Sequence, residues 1–279
     1  MNYLVILAGG ASTRMKASSD SGLSKSELSA ANSGNKGLIV LDGQTRPVLD
    51  YLIKNAVLAG FDTIVLVTGQ EQQPFLEYYG DPLYNKNNLG AAVVLAKQAI
   101  PEHRSKPWGT ADALLQAMDQ VIELKTTCFA VCNCDNLYSQ NALSLLQDET
   151  TPNALIAYDR EGLEFVASRI AKFAAMQLDA DNFVLDIVEK PKEDSLESYR
   201  DNSGSLRVSM NLFKFNGTEI YPALLNCPEN ALRAEKELPT ALLNMIKSGA
   251  SVKGIPLKEH VPDLTSKEDI AVFKKYLKA

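Results

Sequence analysis

Histidine is nearly missing from this 279-residue chain: His103 and His260 are the whole supply. That leaves little material for a histidine-rich zinc site or a Ser/His/Asp triad, and neither residue stands in a motif, so both are expected at the surface. Cysteine is almost as sparse. Cys128, Cys132 and Cys134 crowd into one apolar run and Cys227 stands apart, which is no disulfide framework and suits a reducing compartment. No apolar run approaches the roughly 20 residues that cross a bilayer, and no leader-like stretch opens the chain; a cytoplasmic protein without a membrane partner is expected. Positive charge is in deficit too, with 28 Lys and Arg against 34 Asp and Glu, a net charge of -6. Such a balance argues against a nucleic-acid partner. Any anionic ligand must find a local cluster of cations.

What is present is a core. Hydrophobic residues make up 46% of the chain, and in the first half they alternate in type. "YLVILA", "DTIVLVTG" and "CFAVCNCDN" read as strands, while "PVLDYLIKNAVLAG" and "TADALLQAMDQV" read as helices between them. That order predicts a parallel sheet with right-handed crossovers. The first helix is expected over 47–59, started by Pro47 and stopped by Gly60, with Leu49, Leu52, Ile53, Ala56 and Val57 as its apolar stripe. The second half predicts a hairpin of two strands joined by "LDADN", an alternating strand "RVSMNLFKF", helices near 217–226 and 239–248, a strand "SVKGIPL" and a last helix capped from Ser266. Residues 17–35 are Ser-rich and too polar to bury, and they are expected to be a mobile surface insertion or a flap.

The stretch "LAGGASTRMK" follows the first strand directly. A turn there lies at the carboxyl edge of a parallel sheet, where open α/β folds bind ligands. Gly9 and Gly10 permit close backbone approach, and Thr13, Arg14 and Lys16 add a hydroxyl and two cations, a combination suited to phosphate. Neither the dinucleotide fingerprint G-x-G-x-x-G nor the P-loop pattern occurs here.

"LAGGASTRMK", with "KGLIVLDGQTRPVLDYLI" after the insertion, resembles the signature of the sugar-phosphate nucleotidylyltransferases. "KPWGTADALLQA", "FAVCNCDNLYS", "DIVEKP", "VSMNLFKF" and "VPDLTSKEDI" resemble further blocks of that family, in order, from Leu4 to about Phe273. The resemblance implies a Rossmann-like mixed, mainly parallel sheet flanked by helices, with a small antiparallel acceptor-binding subdomain. One domain over 1–279 is expected, its nucleotide-binding half 1–150 and its acceptor-binding half 151–279. Two departures stand out: Ser12 replaces the usual third loop glycine, and the insertion makes Lys25 compete with Lys36 as the phosphate lysine. The spacing to the next strand and helix favours Lys36.

The implied reaction is attack by the phosphate of a phosphorylated acceptor, a sugar 1-phosphate first of all, on the α-phosphorus of a nucleoside triphosphate, with release of pyrophosphate. By the same resemblance Arg14, Lys36, Asp135 and Lys190 are the catalytic candidates, and Leu7, Ala8, Gly9, Gly10, Thr13, Gln98, Gly109 and Thr110 the nucleotide-binding ones. Glu189, Lys190 and Asn211 would meet the acceptor, and Asp135 with Asp263 would hold Mg²⁺. Free N–H groups at the helix start Gly109–Thr110 and the Gln98 amide, which both donates and accepts, would face the nucleobase. Trp108 either lines the cleft or anchors its loop. Cys128, Cys132 and Cys134 share a strand face and are read as small buried side chains. Three alternatives stay open: CMP or GMP transfer to a non-sugar phosphate such as phosphocholine, a regulatory protein that binds nucleotide without turnover, and a nucleotide-sugar-dependent glycosyltransferase. The family often forms homo-oligomers.

Overall fold

In the structure, a computed structural model, residues 1–10, 12–18, 23, 27–28, 31–32, 35–41, 44–171, 173–188, 191 and 193–276 are described. One mixed sheet carries the chain. Its strands are β1 (Tyr3–Leu7), β2 (Thr63–Thr68), β3 (Ala92–Lys97), β4 (Cys128–Asn133), β5 (Ala154–Asp159), β6 (Ala175–Leu178), β7 (Val184–Val188), β8 (Arg207–Asn216) and β9 (Lys253–Leu257). The main path runs β3-β2-β1-β4-β8-β5-β9, and only β8 is reversed along it. The hairpin β6–β7 hangs on β8. The expected mainly parallel sheet is therefore present. The alternating strand "RVSMNLFKF" is the central β8, between β4 and β5.

Among the described residues six helices have nine or more residues: α1 (Leu49–Leu58), α2 (Thr110–Gln120), α3 (Gln140–Asp148), α4 (Gly217–Leu225), α5 (Leu238–Lys247) and α6 (Glu268–Tyr276). Strand alternation divides the core. Leu4 and Ile6 of β1 pack with α1 and α3 on one face, while Val5 and Leu7 pack with α2, α4 and α5 on the other. Helix α1 buries Leu49, Leu52, Ile53 and Ala56 of the predicted stripe, with Val57 only partly buried, and stops before Gly60 at φ 98°. Strand β3, helix α3 and strand β5 were not foreseen. Strand β5, "ALIAYD", is buried along its whole length and so shows no alternation, and α3 depends on a cap, the Ser139 hydroxyl accepting from Ala142 N–H at 3.0 Å.

A third cluster corrects the reading of the insertion. Ala31 is buried, Leu23 packs beside it, and both meet Met15, Ile39, Leu264, Ile270 and Phe273. Glu27 is buried and takes Lys274 of α6 at 2.7 Å, and Ser18 accepts the Lys267 N–H at 2.9 Å. Sparse apolar residues inside a Ser-rich composition were enough to dock these positions against α6. Lys25 lies outside the described residues.

His260 also departs from expectation. It is half-buried, its ring 4.7 Å from that of Phe165 and 5.1 Å from that of Tyr276, and Nδ1 accepts from Glu164 N–H at 3.0 Å. Burial lowers its pKa below 6.5, the Glu164 charge opposes this, and Arg169 adds to it. The unfolded chain therefore takes up the proton first, and stability falls as pH drops below about 6.5. Denaturant unfolding between about pH 7.5 and about pH 5.5 is expected to show this loss, and His260→Gln should flatten it.

Candidate active site

Because β1, β2, β3 and β4 run the same way, their C-terminal ends share one edge. The loops that follow continue the ladder: Ala8 N–H donates to Val67 O at 2.7 Å, Cys134 N–H to Leu7 O at 3.2 Å and Gln98 N–H to Thr68 O at 2.8 Å. The glycine loop, Gln98 and Asp135 are thus fixed beside one another by backbone. Gly9 is closed in, since a Cβ there would stand 3.2 Å from Gly69 N and Gln98 Oε1. Gly10 faces open space, with nothing within 4 Å of the Cβ position. Ser12 has φ 52°, the left-handed conformation that explains why glycine is usual there.

Two cavities meet at this edge. Leu7, Ala8, Gly9, Gly10, Lys36, Gln98, Gly109, Thr110 and Asp135, all expected, line the first, of about 260 Å³. The second, of about 570 Å³, takes in Arg14, Asp135, Asn211 and Asp263. Asp135 and Asn133 line both, so they stand where the two contents would touch. A 3₁₀ turn, Lys36–Leu38, presents Lys36, whose Nζ donates to Asp135 Oδ2 at 2.8 Å. Backbone pairing brings in Asp263: Leu264 N–H donates to Asp135 O at 2.8 Å, and Leu137 N–H to Pro262 O at 2.9 Å. Burial and then the Asp135 charge raise the Asp263 carboxyl pKa, with Arg169 opposing them. Asp263 Oδ2 accepts from Arg169 at 2.7 Å and from the Thr265 hydroxyl at 2.8 Å. The Oδ1 atoms of Asp135 and Asp263 accept no hydrogen bond among the described residues.

These two carboxylates are the right donor set for Mg²⁺, which takes hard oxygens, is satisfied with one or two carboxylates and draws its other ligands from phosphate and water. Among the described residues no group of three or more His, Cys, Asp or Glu is placed to hold a metal. The cysteines beside the site are not thiolates: burial pushes Cys134 up to about 12 and raises Cys132 well above its usual range.

Asn211 sits at φ 59° where β8 shifts register against β5, between the pairs Leu155–Phe213 and Ala157–Ser209. Its N–H donates to the Ser209 hydroxyl at 3.2 Å, and Tyr138 donates to the carbonyls of Met210 and Asn211. Asparagine is among the non-glycine residues that take this left-handed conformation most readily, here at a strand irregularity on the cavity wall.

Gln98 and Gly109 are more committed than expected. The Gln98 Nε2 donates to Asp112 at 2.8 Å and to Gly109 O at 3.1 Å, so only Oε1 is left for a ligand, because Asp112 in the first turn of α2 claims the donors. One first-turn N–H, that of Ala111, is already given to Lys236 O at 3.0 Å. Trp108 anchors its loop: Nε1 donates to Glu229, and Lys236 Nζ lies 4.2 Å from the ring centre. Glu189, Lys190 and the Thr13 side chain lie outside the described residues.

A family model for nucleotidyl transferases matches residues 3–255. The chain belongs to the nucleotidyl transferase family. A glucose-1-phosphate adenylyltransferase of Mycoplasma mobile is 24% identical over 214 residues, 76% of this chain and 50% of the relative. The bifunctional protein GlmU of Methanococcus maripaludis is 24% identical over 225 residues, 81% of this chain and 45% of the relative. The chain thus spans about half the length of the curated relatives it matches. A UDP-glucose pyrophosphorylase, solved with UDP-glucose, superposes with a TM-score of 0.69 at 17% identity, with 100% of each chain covered, a likeness of fold.

Several cavity residues had escaped the sequence reading. Asn133 had a signal, a polar residue inside the apolar run "FAVCNCD". Lys106 opens the block "KPWGTADALLQA", whereas Glu235 in the first cavity, and Arg169 and Arg233 in the second, had none, since loops distant in sequence bring them in.

The two glycines separate packing from binding. Gly9→Ala should lose about 1–3 kcal/mol of stability through its clash with backbone. Gly10→Ala should stay within about 0.5 kcal/mol of the parent by denaturant unfolding, since its Cβ enters only the cleft. Equal losses would contradict this loop geometry.

Proposed function

We propose that this protein transfers a nucleotidyl group from a nucleoside triphosphate to a sugar 1-phosphate. The observation that carries the reading is the position of Asp135, with Lys36 bonded to it, on the wall common to the two cavities. A site for joining two ligands needs such a shared wall. The names of the relatives support a sugar phosphate as acceptor.

In the proposed reaction an acceptor phosphate oxygen forms a bond to the α-phosphorus, and the bridging bond to the β-phosphate breaks with its electron pair leaving on pyrophosphate. The attacking oxygen is already an anion, so no general base is required. Catalysis reduces to alignment and to offsetting charge between two polyanions. The open space at Gly10 admits phosphate against the loop backbone, Lys36 faces the α-phosphoryl group, and Arg14 holds the departing phosphates. Asp135 and Asp263 would hold Mg²⁺, which neutralises phosphate charge when bound. Glu189 and Lys190 are proposed for the sugar hydroxyls and the acceptor phosphate. They follow β7, whose Val188 pairs with Ala175, and the neighbouring Ala174 lines the second cavity.

The test is pyrophosphate release with Mg²⁺ over a grid of nucleoside triphosphates and phosphorylated acceptors, sugar 1-phosphates and phosphocholine included. Release that requires one triphosphate and one sugar 1-phosphate is the expected result. Release with phosphocholine alone, or triphosphate binding without turnover on any acceptor, would overturn it. Lys36→Ala and Asp135→Asn should each lower turnover by about 100-fold or more while the fold survives.

A further inference from the structure

The second cavity holds a cation that the proposed chemistry leaves without a task. Arg169 lies in the short helical turn Ala167–Ile170, far in sequence from both carboxylates. Its Nη1 donates to Asp269 Oδ1 at 2.5 Å, and its Nη2 donates to Asp263 Oδ2 at 2.7 Å and to the Asp263 carbonyl at 3.2 Å. The guanidinium rests 4.5 Å from the centre of the Phe165 ring. Asp269 is itself held at the start of α6, its Oδ2 accepting from Thr265 N–H at 2.9 Å and Ser266 N–H at 2.7 Å. One oxygen of Asp263 is thus claimed twice, by Arg169 and by Thr265, and the other is left over.

We infer that Arg169 is the positioning residue of the cation site. By gripping Oδ2 of Asp263 and anchoring itself on Asp269, it fixes the carboxylate so that Oδ1 remains for Mg²⁺, and its charge offsets the repulsion between Asp135 and Asp263. The inference rests on the proposed assignment of those two aspartates as metal ligands. Orienting a ligand through its second oxygen is a familiar way in which outer groups tune a metal site. A lysine at 169 would keep the charge but lose the fork that grips two carboxylates at once.

Mn²⁺ alone, titrated into the full chain and followed by loss of the free-ion electron paramagnetic resonance signal, tests this without turnover. Arg169→Lys should weaken Mn²⁺ binding by about tenfold or more while its melting temperature stays near that of the parent. Asp269→Asn, which loosens the anchor only, should weaken it less. Arg169→Ala leaves two carboxylates uncompensated; if it fails to fold, the lysine and Asp269 variants decide. Parent-like Mn²⁺ affinity in folded Arg169→Lys would overturn the inference, as would a lowered melting temperature with unchanged affinity, the mark of a merely structural ion pair. Asp263→Asn separates the two levels. If it leaves Mn²⁺ affinity unchanged, the metal assignment itself fails; if it weakens binding and Arg169→Lys does not, only the role of Arg169 fails.

Discussion

Strands that run the same way must end on the same side of their sheet, and the site depends on that constraint before any side chain matters. Parallel pairing of β1 with β2 and β4 delivers the glycine loop and Asp135 to one edge, and β3 adds Gln98. The backbone bonds that continue past the strand ends then fix the loops to within a peptide unit. Reversed β8 serves the other cavity. It returns along β4 from the opposite direction, so that Asn211 on β8 and Asn133 on β4 come to line one space. A purely parallel sheet would have no strand approaching the edge with its N-terminal part at that place.

Two of the four non-glycine left-handed residues among those described are a local cost of this layout. Ser12 and Asn211, at φ 52° and φ 59°, both adjoin the site. Such conformations are disfavoured for residues with a Cβ and persist where surrounding bonds over-determine them. For Asn211 those bonds are visible, from Tyr138 to two successive carbonyls and from Asn211 N–H to Ser209. Buried Tyr138 therefore acts on the site without touching the cavity.

The architecture was legible wherever periodicity and punctuation agreed, as in α1 between Pro47 and Gly60 or in β1 followed by two glycines. The cavity lining was legible where a motif follows a strand end, as with Gly9 and Gly10 after β1 and Asp135 after β4. What escaped has a common cause. Arg169, Arg233 and Glu235 reach the cavities on connections whose path is set by tertiary packing, and nothing in "ASRIAK" or "LRAEKE" distinguishes a cavity cation from a solvated one. Gln98 lines the first cavity as read, but which of its amide atoms stay open was not legible, because the donors are taken by neighbours, Asp112 and Gly109, that lie a helix turn and a loop away.

Charge poses the last problem, since the proposed reaction would bring two polyanions to an acidic chain. The cations that line the cavities are mostly spoken for already: Lys36 by Asp135, Arg169 by Asp263 and Asp269, Arg233 by Glu237 and Lys106 by Glu235. Arg14 makes no ion pair among the described residues. Pairing of this kind spares partly buried charges from standing alone. Under the proposed reaction it would also make binding an exchange, in which a phosphate oxygen displaces a carboxylate that would then be open to a metal ion. For Lys36 and Asp135 that exchange is reciprocal: phosphate taking Lys36 frees Asp135 Oδ2 as well as the Oδ1 already open. Triphosphate and Mg²⁺ would then favour each other's binding, which is a reason for a nucleotidyl transferase to place its lysine and its first carboxylate in direct contact rather than apart.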